Sequence, residues 1–331
     1  MEFGITLDNL ELAQVLETAR MAEDVGFDLI LFADHFVHEG AGGQGINPRR
    51  YNYDPMLLAA TVAHATRRLR IGHLVLCNLF RHPALVARSL ATLDQISGGR
   101  AVAGLGTGWM ESEFRMIGIP FPPIDERLAM LDEALTAIRG LWTQERTSLA
   151  GRFYTLRDAV LFPKPLSQPH PPIIVGGSGR GLLRTAAKHA DWVNIILELG
   201  SVGRFTPQEV RRATDGSMRA KIEFVRQEVR RLGRAPDAVR FSNVIFNWKL
   251  TDSQAETRQA LITMAGGLGM DPEAVRYAPT NLIGTVEESI AELKRRVEIW
   301  GVTQIVFPGG FRGPVIPEHF RKLYEQVLAH V

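Results

Sequence analysis

Residues 171–189 read PPIIVGGSGRGLLRTAAKH, a short apolar run followed by a glycine-rich loop and a helical pattern. The run 173–176 is typical of a parallel strand that is buried on both faces, and residues 182–189 are predicted to form a helix. A second apolar run, 192–196, follows shortly after. A strand, a helix and another strand in this order form a βαβ unit, which favours a parallel sheet.

The same alternation extends along the whole chain. Apolar runs predict eight strands, at 3–7, 28–33, 71–76, 101–105, 173–176, 192–196, 240–247 and 303–307. Between them, apolar residues recur at helical spacing. Asp54-Pro55 predicts the start of a helix, and Gly26 and Gly301 predict helix ends. Eight strands that alternate with helices predict a (β/α)8 TIM barrel, with a doubly wound open sheet as the alternative because a strand count cannot show closure.

The chain has 331 residues, whereas a barrel of this kind typically has about 250. We therefore expect a single domain over 1–331 with insertions near 36–53, 143–172, 197–237 and 265–284. Segment 143–172 is expected to contain a hairpin around 151–154. Segment 197–237 is basic with helical spacing, and 265–284 is expected to be a connection rich in glycine and proline.

Composition argues against several classes of protein. Charged residues make up 22% of the chain and hydrophobic residues 45%, a globular balance that excludes wholesale disorder. The net charge of +2 argues against a nucleic-acid groove or a membrane-surface protein, and the longest apolar runs fall far short of a spanning helix. A single cysteine, Cys77, and an N-terminus without a signal-peptide pattern predict a cytoplasmic protein.

In a parallel barrel the active site lies where the strands end, so these positions carry the candidate chemistry. Asp34 and His35 follow the second strand; the histidine can exchange a proton near neutral pH, and the carboxylate can bias its charge. Alternatively, Asp34 caps a turn and His35 is structural. Cys77 follows the third strand, where a small buried filler is favoured over a nucleophile. Arg81 and His82 are interpreted as helix-entry residues.

Two strands end in glycine-rich loops. Segment 104–109 (GLGTGW) is not a dinucleotide fingerprint, because Trp109 stands where the third glycine would be. It either lets a flat cofactor approach the backbone or forms a tight turn. Segment 176–181 (GGSGRG) precedes a helix, and its backbone N–H groups, with Ser178 and Arg180, predict a phosphate cradle; the alternative is a flexible turn. It lacks the lysine of a nucleotide P-loop.

Other catalytic patterns are missing from the sequence. The nine histidines are scattered without an HExxH or Cys/His grouping, so we expect no metal site. No Gly-x-Ser-x-Gly motif occurs, which disfavours a serine hydrolase.

Taken in order, the strand-end motifs resemble the luciferase-like monooxygenase superfamily, most closely the branch that uses the deazaflavin coenzyme F420. The matching stretches cover nearly the whole chain: 33–36 (ADHF), 80–84 (FRHPA), 93–100 (LDQISGGR), 104–109 (GLGTGW), 118–123 (GIPFPP), 171–179 (PPIIVGGSG), 190–194 (ADWVN) and 284–288 (GTVEE). The resemblance implies a TIM barrel with insertions, usually dimeric, that holds a flavin or deazaflavin at its C-terminal mouth.

The resemblance also implies roles for individual residues. His35 would be the proton donor or acceptor, and Trp109 would line the substrate pocket. Leu74 and Val75 would lie at the bulge behind the central ring, where the family often has a non-prolyl cis bond. The cofactor contacts would be Asp34, Leu74, Val75, Cys77, Thr107, Gly108, Ser112, Gly176, Gly177, Ser178, Gly179 and Arg180, the last five at the phosphate.

Two positions depart from the family pattern. Trp109 stands where the sugar-phosphate dehydrogenases of the superfamily have a glutamate, which puts glucose-6-phosphate oxidation in doubt. Cys77 replaces a small residue that usually carries a hydroxyl group, which weakens that polar contact.

The expected function is therefore hydride transfer between coenzyme F420 and a small organic substrate by a cytoplasmic homodimer without nucleic-acid or membrane partners. One alternative is an FMN-dependent monooxygenase that uses reduced flavin and O2. Another is a non-catalytic flavin-binding barrel, which would be favoured if His35 pointed into the core. The basic residues Arg204, Arg211, Arg212, Arg219 and Lys221 either meet the anionic tail of the coenzyme or form a solvated helix face.

Overall fold

The strands and helices alternate along the chain, as predicted. The computed structural model describes residues 1–37, 51–196, 207–309 and 316–331. In these ranges the strands are β1 (Glu2–Leu7), β2 (Leu29–Phe32), β3 (Arg70–His73), β4 (Leu76–Cys77), β5 (Ala101–Gly106), β6 (Thr147–Ala150), β7 (Thr155–Ala159), β8 (Ile173–Gly176), β9 (Trp192–Ile195), β10 (Arg240–Val244), β11 (Asn247–Leu250), β12 (Asn281–Gly284) and β13 (Val302–Gly309).

The helices in the same ranges are α1 (Leu12–Val25), α2 (Pro55–Ala65), α3 (Pro83–Ser97), α4 (Glu111–Ile117), α5 (Ile124–Thr143), α6 (Arg180–His189), α7 (Pro207–Arg212), α8 (Asp215–Arg231), α9 (Gln254–Leu268), α10 (Pro272–Arg276), α11 (Val286–Trp300) and α12 (Pro317–Gln326). Asp54 caps α2 by accepting hydrogen bonds from the N–H groups of Met56 and Leu57. Gly26 and Gly301 end α1 and α11 in the left-handed conformation, so the predicted caps are confirmed.

Parallel strands close into a barrel. The order of neighbours is β3-β2-β1-β13-β10-β9-β8-β5-β4, and β3 also pairs with β5, which closes the ring. The predicted TIM barrel is confirmed, and the open sheet is excluded. The predicted strand 71–76 is split into β3 and β4, and the Leu74-Val75 peptide bond between them is cis, as the family resemblance implied.

The barrel interior toward the N-terminal ends of the strands is filled by side chains. Leu29, Leu31, Val102, Ile174, Trp192, Val244 and Val306 form one buried cluster inside it. Near the N-terminal ends of the strands, the guanidinium carbons of Arg70 and Arg240 lie 5.4 and 3.3 Å from the ring centroid of Trp192. This packing leaves the C-terminal end as the place where a ligand can enter.

The structure describes parts of the segments where insertions are expected. In 143–172, strands β6 and β7 pair antiparallel, and the Gly151 N–H donates to the Tyr154 carbonyl at the expected turn. Between residues 207 and 231, the segment forms the helices α7 and α8, as its spacing predicted. Residues 38–50 and 197–206, which include Arg204, lie outside the described residues.

Two expectations about the chain after residue 240 are wrong. The predicted strand 240–247 is interrupted, because β10 ends at Val244 and β11 begins a separate two-stranded parallel sheet with β12. Segment 265–284 is not merely a connection, since it contains the end of α9, all of α10 and β12. Gly266 and Gly267 remain helical because Leu261 and Ala265 of α9 pack against Val275 and Ile283, which outweighs the poor helix propensity of glycine.

No helix in the described ranges has both the length and the apolar character needed to cross a membrane.

Candidate active site

His35 lies at the C-terminal mouth of the barrel, immediately after β2, and its partner is Glu113. The Nδ1 atom of His35 is 3.0 Å from Oε2 of Glu113. Oε1 of this carboxylate accepts hydrogen bonds from the backbone N–H groups of Phe36 and Val37, at 2.6 and 3.1 Å. The Glu113 side chain is 2% exposed, whereas that of His35 is 19% exposed. The side chain of His35, the predicted catalytic residue, is therefore partly exposed at the barrel mouth and does not point into the core.

The charges around His35 favour its protonated form. Burial opposes a positive charge on the ring, but the hydrogen bond and negative charge of Glu113 outweigh it, helped by Asp8 and Asp34, and they raise the pKa of His35 above 6.5. The ring of Trp109 packs edge-on against the imidazole, with centroids 5.6 Å apart. This arrangement orients a proton-exchanging group near neutral pH.

Asp34 is buried beside His35 and is bound by Arg81. Its Oδ2 atom accepts hydrogen bonds from the backbone N–H of Cys77, at 3.0 Å, and from Arg81 Nη1, at 2.6 Å. The other end of the guanidinium donates to Asp54 Oδ2 at 2.9 Å, so Arg81 connects the barrel mouth to the start of α2. Burial raises the pKa of Asp34 above 3.8, although Arg81 and Cys77 limit the shift. Within the described ranges, Oδ1 of Asp34 makes no hydrogen bond.

Cys77 and His82 have the structural roles that the sequence favoured. Cys77 is 7% exposed, and burial raises the pKa of its thiol to about 12. A thiol of this pKa is not a nucleophile near neutral pH. His82 caps α3, since its Nδ1 accepts the N–H of Ala84 at 3.2 Å.

Val75, the residue after the cis bond, occupies space that three strand-end glycines leave open. A Cβ atom on Gly106 would lie 2.7 Å from Val75 Cγ2, and one on Gly176 would lie 2.9 Å from Val75 Cγ1. Gly104 is equally restricted, because a Cβ there would lie 1.8 Å from the carbonyl oxygen of His73. These glycines allow β4, β5 and β8 to approach one another around a side chain at the floor of the mouth. Leu74 packs on the top of the barrel's inner cluster.

The loop after β5 and the helix α4 that follows it hold four of the predicted site residues. Gly108 has a φ of +72°, and a Cβ there would lie 2.7 Å from Cys77 Sγ, so the position requires glycine. Its carbonyl accepts a hydrogen bond from the buried Arg127. Thr107 precedes it and Trp109 follows it, both partly buried, and Ser112 lies in the first turn of α4.

The loop after β8 leads directly into α6. Gly179 is the N-cap residue, no side chain caps the helix, and its first turn contains no acidic residue. Gly177 has a φ of +145°, and a Cβ there would lie 2.1 Å from Leu182 Cδ2, whereas a Cβ on Gly179 would meet nothing within 4 Å. An uncapped helix N-terminus that is open to solvent suits an anion.

The polar side chains of this loop differ in position. Ser178 is buried. The guanidinium carbon of Arg180 lies 4.8 Å from the ring centroid of Phe224 on α8, and that of Arg184 lies 5.5 Å from it.

Most of the predicted basic stretch belongs to the surface of α7 and α8. Arg211 donates to the carbonyl of Leu268, and Arg219 pairs with Asp215 on its own helix. α8 buries Met218, Ile222, Val225 and Val229 along its other face. These contacts favour the solvated helix face over a cofactor contact.

Sequence reasoning missed Glu113 and Asp8, and it did not give Arg81 its role. Glu113 and Phe114 are the buried residues of α4, so the sequence signal for Glu113 was an acidic residue beside an apolar one in the first helical turn after β5. This signal does not identify His35 as the partner of Glu113, because His35 lies 78 positions away along the chain. Among the described residues, no group of His, Cys, Asp and Glu side chains has the arrangement of a metal site.

Comparison with known proteins identifies the family. Residues 1–296 match the family described as luciferase-like monooxygenase. The chain belongs to the luciferase-like monooxygenase family. The resemblance that the sequence motifs carried, to the luciferase-like monooxygenases, is thereby confirmed.

Relatives of this luciferase-like chain include enzymes with two kinds of cofactor. An FMNH2-dependent dimethylsulfone monooxygenase from Pseudomonas putida is 38% identical over 178 residues, which cover 53% of this chain and 46% of that protein. The chain thus aligns with less than half of that relative. An F420-dependent glucose-6-phosphate dehydrogenase from Amycolatopsis mediterranei is 27% identical over 318 residues, which cover 89% of this chain and 88% of that protein.

A solved structure shares the fold of this luciferase-like chain from end to end. It is an F420-dependent secondary alcohol dehydrogenase in complex with an F420-acetone adduct, with a TM-score of 0.78 and 21% sequence identity. The superposition covers 100% of this chain and 99% of that one. At this identity the likeness establishes the fold alone.

Proposed function

We propose that this protein is an oxidoreductase that transfers hydride between coenzyme F420 and a small organic substrate, with His35 as the proton donor or acceptor. The observation that carries the proposal is the His35–Glu113 pair at the mouth of a closed barrel. A histidine in the core would instead have favoured a non-catalytic flavin-binding barrel.

The residues around the mouth fit a flat, phosphorylated cofactor. Leu74, Val75 and the glycines around them provide a floor with little projecting side chain, against which a planar ring can lie. Asp34 Oδ1 has hydrogen-bonding capacity that no described residue uses, and it suits the polar edge of such a ring. The uncapped start of α6, with Gly176, Gly177, Ser178, Gly179 and Arg180, suits the phosphate.

The chemistry of the chain's own residues is proton transfer and orientation. When bound, the deazaflavin supplies the carbon that gives or takes hydride. Because Glu113 binds Nδ1 of His35, proton exchange with a substrate occurs through Nε2. Glu113 stabilises the protonated ring, and Trp109 restricts its rotation by packing against it. His35 can thus donate a proton to a carbonyl oxygen or remove one from a hydroxyl.

An FMN-dependent monooxygenase is the second candidate. It is supported by the 38% identity to the FMNH2-dependent dimethylsulfone monooxygenase, whose alignment includes only about half of this chain. The Asp34-His35 pair, and the alignment of nearly the whole chain with an F420-dependent relative, favour the deazaflavin.

We also propose that the protein acts as a homodimer through α2 and α3. These neighbouring helices expose Leu57, Leu85 and Ile96, with exposed fractions of 72, 50 and 48%. Exposed apolar side chains on adjoining helices suit a surface that a second protein covers.

The cofactor can be tested directly on purified, cofactor-free protein. We expect titration with oxidised F420, followed by quenching of its fluorescence, to give saturable binding, and FMN to bind more weakly. Tight binding of FMN without binding of F420 would overturn the proposal in favour of the second candidate.

A further inference from the structure

Segment 108–122 supplies two of the side chains that contact the imidazole of His35. Trp109, near its start, packs edge-on against the ring, and Glu113, in α4, binds Nδ1. Both contacts therefore come from one stretch of chain between β5 and α5. The orientation of His35 depends on how this stretch is held.

Arg127, in the first turn of α5, binds both ends of segment 108–122. Its guanidinium donates one hydrogen bond to the carbonyl of Gly108 and another, from Nε at 3.0 Å, to the carbonyl of Pro122. The planar fork of a guanidinium sets the directions of both bonds at once. Arg127 is thus a clamp that closes the segment, because its two acceptors are the first and the last residue of the segment.

Ring packing connects this clamp to α4. The guanidinium carbon of Arg127 lies 4.0 Å from the ring centroid of Phe121, and the rings of Phe121 and Phe114 have centroids 4.8 Å apart. Phe114 is 1% exposed and follows Glu113 in α4. Arg127 therefore supports α4 through these rings as well as through the two carbonyls, and α4 carries the carboxylate that binds His35.

The contacts of Arg127 are all directed at this segment. Among the described residues, no carboxylate forms an ion pair with its guanidinium, and the side chain is buried. A buried charge of this kind is stabilised by the hydrogen bonds and the ring contact that it makes. These contacts go to Gly108, Phe121 and Pro122, so the loss of Arg127 is expected to loosen segment 108–122.

We propose that Arg127 is a positioning residue for His35: by closing segment 108–122, it holds Trp109 and Glu113 against the imidazole. The inference deepens the proposed function and rests on it for its consequence in catalysis, since His35 is there the group that exchanges the proton. Arg127 acts through the two residues that contact the ring.

The pKa of His35, measured by NMR titration of its ring in the full-length protein, tests this inference. Arg127→Met removes both hydrogen bonds and keeps much of the length of the side chain. We expect the pKa of His35 to fall, because Glu113 is held less firmly against the ring and its charge stabilises the imidazolium less. The loss of a positive charge would by itself raise this pKa, so the direction of the shift separates positioning from direct electrostatics.

Two further variants locate the effect. Arg127→Lys keeps the positive charge without the planar fork, so its pKa for His35 should lie between those of the native protein and Arg127→Met, and it serves as the test if the methionine variant does not fold. In a Glu113→Gln background, Arg127→Met should lower the pKa by less than it does in native protein, because the charge through which it acts is gone. Asp8 and Asp34, the other carboxylates near His35, follow β1 and β2 and lie outside the clamped segment.

Arg100 provides the matched control. Its guanidinium also binds backbone carbonyls, but near the N-terminal ends of the strands, and these belong to Ala63, Thr66, Leu69 and Ser97. Arg100→Met should therefore destabilise the protein in urea denaturation at least as much as Arg127→Met does. It should leave the pKa of His35 unchanged.

Several results would overturn the proposal: an unchanged or raised pKa of His35 in the Arg127 variants, an equal fall in Arg100→Met, or an undiminished fall in the Glu113→Gln background. Failure of both Arg127 variants to fold would also overturn it, since the arginine would then be required by the fold as a whole. The titrations are made without F420 and repeated with it. If F420 does not bind while Arg127→Met still lowers the pKa of His35, the proposed function fails and the role of Arg127 stands.

Discussion

His35 and Glu113 form a pair in which one carboxylate both orients the ring and holds the backbone that follows it. Oε2 of Glu113 binds Nδ1 of His35, and Oε1 binds the N–H groups of Phe36 and Val37. The imidazole ring and the backbone that follows it are therefore held by a residue of α4, a helix that comes after β3 and β5 in the sequence. Proton transfer at the mouth depends on the packing of that helix.

Glu113→Gln should lower the pKa of His35, because it removes the charge that stabilises the imidazolium while keeping a hydrogen-bond acceptor. We expect the pH dependence of kcat/KM to move to lower pH and turnover to fall by about 10- to 100-fold. NMR titration of the His35 ring provides the direct measurement. Glu111→Gln is the matched control on the same helix, since Glu111 is exposed and pairs with Arg115; a pH profile that is identical in both variants would contradict the role of Glu113.

The same pair predicts how stability depends on pH. The pKa of His35 is higher in the folded protein than its ordinary value of 6.5, so its protonation stabilises the fold below pH 6.5 and this contribution is lost as the pH rises through the folded-state value. The difference in free energy of unfolding between the native protein and Glu113→Gln should therefore shrink as the pH is raised from 6 to 9. Urea denaturation across this range measures it, and a difference that grows with pH would reject the ion pair.

His35→Ala should separate catalysis from cofactor binding. Removal of the proton-exchanging group is expected to lower turnover by about 10²- to 10⁴-fold, whereas the affinity for F420 should change little, because the proposed cofactor contacts lie on other residues. Fluorescence titration and steady-state kinetics on the same preparation make the comparison. Unchanged turnover would remove His35 from the mechanism.

Gly108→Ala should damage the mouth more than Gly118→Ala does. Both glycines have nearly the same backbone conformation, with φ values of +72° and +73°, but a Cβ on Gly108 would lie 2.7 Å from Cys77 Sγ and one on Gly118 would meet nothing within 4 Å. The left-handed backbone alone should cost Gly118→Ala about 1–2 kcal/mol, and the collision should add about 1–3 kcal/mol for Gly108→Ala. Equal losses in chemical denaturation would show that the loop relaxes around the new methyl group.

Arg180→Ala should weaken F420 binding, whereas Arg184→Ala should not. Both guanidinium groups lie over the ring of Phe224, and Arg184 also pairs with Glu228 at 3.8 Å. Only Arg180 is at the start of α6, beside the loop that is proposed to bind the phosphate. We expect a loss of about tenfold in affinity from one charge-assisted hydrogen bond. The same loss in both variants would place the effect in helix packing and not in phosphate binding.

Leu57→Glu should convert the proposed dimer into a monomer, because it places a charge among the exposed apolar side chains of α2 and α3. Ile262→Glu is the control, since Ile262 is an exposed apolar residue of α9. Sedimentation velocity should give the dimer mass for native protein and for Ile262→Glu. A native protein that sediments as a monomer would reject the interface.

The barrel was predictable because each buried parallel strand is a local signal. Runs such as 173–176 are apolar on both faces, and the next helix begins within a few residues. The break after Val244 was not predictable from the run 240–247, since the apolar residues continue while the chain leaves the barrel. Nothing in the run itself shows which strand each residue will pair with, because that depends on β12, more than thirty residues further along the chain.

The site was predictable in position but not in its contacts. Strand ends located Asp34, His35 and the glycine loops. The partners that determine their protonation, Glu113 and Arg81, are separated from them by 78 and 47 positions. A sequence pattern predicts which residues lie at the mouth. It does not predict which of them form hydrogen bonds with each other, because that depends on how the helices and loops pack in three dimensions.

The sheet of β11 and β12 stands outside the hydrogen-bond ladder of the barrel. Among the described strands these two pair only with each other, so they take no part in the strand register of the barrel. The buried Arg296 of α11 attaches the segment to the rest of the fold, because its guanidinium binds the carbonyls of Ala278, Pro279 and Asn281 and the side chain of Asn243. Substitutions in this segment are therefore expected to leave the barrel intact where they spare Arg296, the carbonyl groups that it binds, and Trp248, which packs against Phe307 of β13 and Phe320 of α12.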